Sequence, residues 1–116
     1  MTPTRPPHAP SHAPAWREFV DRRRVGMIFA LDGGLWLHRH LWRGERMAHL
    51  VSADRDALLA AGKVLELRAE WLQYKPLRDP RTGQRVDAWH WDLRGTHVTK
   101  AIALAQGPSP RIGDER

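Results

Sequence analysis

The chain has 116 residues, no cysteine, and 19 Lys or Arg against 13 Asp or Glu, for a formal net charge of +6. That length supports one small domain and not two, and the missing thiols exclude a disulfide scaffold, a cysteine-ligated zinc site and thiol catalysis. No apolar run approaches the roughly 18 residues of a membrane span, and the N-terminus lacks the uninterrupted apolar region of a signal peptide, so a cytoplasmic protein without a membrane partner is expected.

Five of the nine prolines fall in residues 1–15, and Arg22, Arg23 and Arg24 form a basic run. So polar a segment cannot offset the entropy of ordering it, and residues 1–24 are expected to be a disordered Pro/Arg-rich arm. Residues 25–107 should form the folded domain, with 108–116 a second disordered tail. The first element expected is a short buried strand over 25–31, leaving on Asp32 and the turn pair Gly33-Gly34. Residues 35–42 alternate: Leu35, Leu37 and Leu41 take one face, and Trp36, His38, His40 and Trp42 the other. A turn at 43–45 would bring the chain back and make a β-hairpin. Ser52 or Asp54 can cap a helix over 54–65, whose apolar stripe is Leu58, Ala61, Gly62 and Leu65. Trp71 and Leu72 are expected to pack the next segment onto the core. A turn-rich excursion follows, marked by Asp79-Pro80 and Thr82-Gly83, and a strand returns over 87–93. Thr96 then caps a last helix stopped by Gly107. The order implies a small single α/β domain: a short sheet of three to four strands with two helices packed on one side.

Four segments in this order, RGERMAHLVSA, LRAEWLQ, HWDL and TKAIALAQG, resemble the domain of unknown function 4031 family of small bacterial and phage proteins. The resemblance spans roughly residues 27–107. It matches Asp32 to the acid closing a first strand, His49 to a His-Leu pair, Trp71 and Gln73 to a middle segment, His90 and Asp92 to a His-Tyr-Asp motif, and Gly107 to a terminal glycine. The chain departs from the pattern at several places. The acid after the His-Leu pair falls on Ala53, with Asp54 one step later, and a helix histidine falls on Leu59. The helix-ending glycine falls on Glu66, and Trp91 stands between His90 and Asp92. Pro108 begins a tail where a last strand would continue. The chain thus lacks a counterpart of the helix histidine, while His49, His90 and Asp92 match. The family carries no established activity to transfer.

His90 and Asp92 lie two apart on a strand and so share a face, with Trp89, Trp91 and Leu93 on the other. Such a pair orients an imidazole and raises its basicity, as general acid–base chemistry requires. With His49 and Asp32 in reach, the set has the composition of a divalent metal site for zinc, manganese or magnesium. The competing reading is a hydrogen-bonded network that only fixes geometry. His38 and His40 share a face at a familiar metal-ligand spacing but fall outside the matched motifs. Six tryptophans in so short a chain, beside Arg39, Arg43, Arg46, Arg78, Arg81 and Arg85, suit stacking on bases and neutralising phosphates, with Trp36 and Trp42 as the stacking candidates. The leading expectation is a domain binding nucleic acid or a nucleotide through a His/Asp site. The alternatives are a protein-interaction module and a metal-dependent hydrolase using the same cluster.

Overall fold

The computed structural model describes residues 14–105. In chain order these are β1 (Trp16–Glu18), α1 (Arg23–Leu31), β2 (Leu35–Trp42), β3 (Glu45–Ser52), α2 (Arg55–Val64), a 3-10 turn (Ala69–Trp71), β4 (Gln73–Tyr74), β5 (Leu77–Arg78), β6 (Arg85–Val86), β7 (Trp89–Arg94) and α3 (Thr96–Leu104). Five strands form one sheet in the order β1-β2-β3-β7-β4, and β5 and β6 form a separate ribbon. β1 runs parallel to β2; every other neighbouring pair in the sheet is antiparallel. The α/β class therefore holds, while the sheet is wider than the three to four strands expected.

The hairpin forms as the alternation dictates. Arg43 and Gly44 both have positive φ, 54° and 79°, the geometry that lets a two-residue turn follow the natural twist of its strands. α2 starts where the capping residue places it, with the Asp54 carboxylate accepting from the Ala57 N–H and the Ser52 hydroxyl accepting from the Asp54 N–H. α3 differs at its start: Gly95 takes the capping position at φ 55°, without a side-chain bond, and Thr96 is already helical. Gly107, the expected stop, lies outside the described residues.

Two larger expectations are corrected. Residues 25–31 are helical, as part of α1, and not a strand. A short apolar run has no periodicity that separates a buried strand from a buried helix turn, and tertiary packing decides here. Gly26 sits against the Trp36 indole so closely that a Cβ would lie 2.3 Å from it, which lets α1 lie flat on the sheet. The folded part also begins before residue 25. Trp16 is 2 % exposed and its indole N–H donates to the Ala101 carbonyl at 2.8 Å, so β1 belongs to the core. Arg39 pairs with Glu18 and pins the end of that strand.

The helices divide between the faces. α2 and α3 cover one, where Leu35, Leu37, Leu50, Trp91 and Leu93 meet Leu58, Leu65 and Val98 in the main core. α1 lies on the other, over Trp36 and Val51, with Phe29 and Leu77 completing a smaller cluster. Two of the three helices thus share a side as expected, and the third does not. Trp71 does not pack inward; it is 47 % exposed with the Arg68 guanidinium over its ring. Only Leu72 of that pair joins the core margin.

Candidate metal centre

Period-two alternation puts the histidines on the sheet face that α1 leaves partly open. Register then brings them together across strands. His38 stands opposite His49, His49 opposite Asp92, and Val51 opposite His90. The twist draws diagonal neighbours closest: ring centres are 4.6 Å apart for His40 and His49 and 4.7 Å for His49 and His90. Trp36 stacks on His38 at 4.8 Å. The result is a continuous row of four imidazoles ending on a carboxylate.

At that end, His49, His90 and Asp92 offer three ligand atoms all within 4.8 Å of one another. Asp92 Oδ1 lies 2.9 Å from His49 Nε2 and 3.3 Å from His90 Nε2. Gln73, opposite His90 on β4, donates its amide to the other oxygen, Asp92 Oδ2, at 2.9 Å. A four-coordinate zinc ion with bonds of about 2.0–2.1 Å to nitrogen and oxygen sets its ligands about 3.3 Å apart. The two imidazole–carboxylate distances already stand near that spacing, and all three donor atoms lie within 4.8 Å of one another.

His38, His49 and His90 are held in the neutral form that binds cations. Burial pushes the His49 pKa down to about 4; the His90 charge adds to the fall, Asp92 opposes it, and His40 and His38 reinforce it. Burial also lowers His90, against the pull of Asp92 and with help from Lys75. His38 is lowered by burial, by Arg23 and by His40. At neutral pH the contacts to Asp92 are therefore between neutral rings and a carboxylate, and not ion pairs.

The sequence candidates are sorted by this geometry. His49, His90 and Asp92 converge; Asp32 does not join them. It closes α1 and receives the Arg81 guanidinium through both oxygens, at 3.0 and 3.3 Å, while Arg81 also holds Asp79. That double clamp ties the β5–β6 ribbon to the end of α1. Trp36 is no stacking surface, being 3 % exposed. Trp42 is open at the hairpin tip, with Arg43 over its ring at 4.6 Å. The arginines do not make one patch. Arg43 and Arg46 stand at the tip of the β2–β3 hairpin. Arg81 is clamped at the opposite end of β3, roughly 24 Å away at ~3.4 Å per residue, and Arg78 faces Arg85 within the ribbon.

Other residues gather where the candidates disperse. His38 and His40 extend the row; their period-two spacing and the hairpin were the signal, but nothing in the sequence said that β7 would pair beside β3 in the register that joins them to His90 and Asp92. Arg23 and Lys75 lie close enough for their charges to act on His38 and His90, and Arg94 stands two residues beyond Asp92 on the same face. A cleft of about 690 Å³ beside β1 and α1 touches the row at His38 alone. The donors thus lie on a half-open surface.

No family model, curated protein or solved structure matches the chain. The site's chemistry carries the functional reading. Among the described residues, no helix is long and apolar enough to cross a membrane.

Proposed function

We propose that the chain is a small metal-dependent hydrolytic domain acting on nucleic acid, with His49, His90 and Asp92 holding a divalent ion. One observation carries this: three donors from two strands, two of them far apart in sequence from the third, meet within 4.8 Å on a half-open face. The ion would supply Lewis-acid polarisation of a phosphoryl oxygen. Arg23, Lys75 and Arg94 border the row and suit the phosphates of a bound strand. Pockets for small ligands are concave and enclosing, so an open face favours an extended strand over a free nucleotide. The resemblance to the domain of unknown function 4031 family belongs to the same reading: four of its matched positions, His49, Gln73, His90 and Asp92, are the ones that meet here.

The test is cleavage of single-stranded DNA and RNA with zinc, manganese or magnesium added in turn. Wild-type protein should cleave and chelator should stop it. The double substitution His90→Ala, Asp92→Ala should abolish cleavage while the far-ultraviolet circular dichroism stays native. Unfolding of the double variant would make the cluster structural, and turnover that needs iron(II) and oxygen would overturn the hydrolytic chemistry.

A second reading, a docking module, is favoured by Leu41 and Trp42, which stand 70 % and 47 % exposed at the hairpin tip. A salt titration separates the two. Affinity for nucleic acid falls steeply between low and moderate salt, while an apolar contact barely responds.

A further inference from the structure

Asp92 has two oxygens and the structure treats them differently. Oδ1 faces both imidazoles, whereas Oδ2 accepts the Gln73 amide N–H at 2.9 Å. Gln73 is itself held. β4 is only two residues long, yet Tyr74 beside it donates its hydroxyl to Asp87 at 2.7 Å and packs edge-on against Trp89 at 5.7 Å. With Tyr74 anchored on one face of β7, the alternation places Gln73 on the other, at Asp92.

We propose that Gln73 is the positioning residue that keeps Asp92 monodentate, and that it thereby selects a borderline first-row transition ion of the zinc class over magnesium or calcium. The proposal rests on the metal reading above. Magnesium prefers six oxygens in octahedral array and calcium six to eight, commonly with a bidentate carboxylate. Here a carboxylate that could turn both oxygens to the ion is restrained to one, and the other two donors are imidazole nitrogens. Two nitrogens and one oxygen suit zinc and its neighbours, and leave positions open for a reacting group. Partners that orient a ligand from behind commonly govern affinity by 10- to 100-fold.

The experiment measures zinc affinity of the full chain by competition with a chromophoric chelator, and magnesium by its ability to displace zinc. Gln73→Met keeps side-chain length and removes the donor; Gln73→Asn keeps an amide. Cobalt(II) as a spectroscopic probe reads coordination directly, because its visible bands are strong in tetrahedral sites and weaken as a fifth ligand enters. Wild type should bind one zinc, resist millimolar magnesium and give an intense cobalt spectrum. Gln73→Met should lose about 10- to 100-fold in zinc affinity and show a weakened spectrum at unchanged circular dichroism, and Gln73→Asn should recover part of both. Equal affinity and spectra in wild type and Gln73→Met would overturn the role of Gln73 alone. Displacement of zinc by millimolar magnesium would overturn the selectivity. A wild-type chain that binds no ion would overturn this inference and the metal reading together.

Discussion

The two faces of the sheet are made by the same strands and do opposite work. One buries Leu37, Leu50, Trp91 and Leu93 almost completely beneath α2 and α3. The other carries His38, His40, His49, His90 and Asp92, and α1 covers only its Trp36 and Val51 end. Alternation therefore separates stability from chemistry residue by residue. Trp91 stands between His90 and Asp92 in sequence, yet its indole N–H donates to the Leu58 carbonyl at 2.8 Å, on the far side of the sheet.

The largest expected effect comes from breaking the sealed face. Trp91→Ala removes a side chain only 1 % exposed and should cost about 3–5 kcal/mol, enough to unfold much of a small domain. Urea denaturation measures it; a loss below about 1 kcal/mol would mean that the sealed face does not carry the fold.

Next is acid, which acts on the open face. His49 protonates near 4 in the folded chain against 6.5 when unfolded. Between those values the unfolded chain binds the extra proton, so stability is complete above 6.5 and falls as pH drops toward 4. The lowered values of His38 and His90 act in the same direction. At ~1.36 kcal/mol per pH unit the His49 shift is worth about 3 kcal/mol; partial solvent exposure reduces this to about 2 kcal/mol. Denaturation of chelator-treated protein across this range should show that slope, and His49→Gln should flatten it. The smallest effect belongs to Trp42→Ala. That tryptophan is 47 % exposed at the hairpin tip, and its loss should change stability by no more than about 0.5 kcal/mol. A larger cost would mean that the open face contributes more to the fold than its exposure implies.

Much of this division was legible in the sequence. The hairpin, the Asp54 cap and the shared face of His90 and Asp92 all follow from local rules of period and capping. So does the inward turn of Trp91. What was not legible depends on long-range register. The run from Val25 to Leu31 reads equally well as a buried strand, and only its fit over Trp36 through Gly26 makes it helical. Trp16 follows a proline-rich segment, and its burial depends on Ala101, 85 residues away. Asp32 was a reasonable fourth donor by composition. The Arg81 clamp that diverts it is made by a turn whose direction no local pattern gives. The arginines failed as a group for the same reason: proximity in turn regions of the sequence says nothing about which end of a strand each turn occupies.

The shared ladder of β7 also governs which genetic changes the protein can absorb. Substitutions can alter one face and spare the other, because neighbouring residues answer to different surroundings. A single-residue insertion or deletion between Trp89 and Arg94 cannot. It would shift the residues on one side of the change by one register, turning core side chains such as Trp91 or Leu93 toward the histidine row and row residues such as His90 or Asp92 toward the core, so that both faces are damaged in one event. Length variation should therefore be absent from this hexapeptide, while the turn between β5 and β6, joined to the body through the Arg81 clamp and Leu77, is free to differ in length wherever those two contacts are kept.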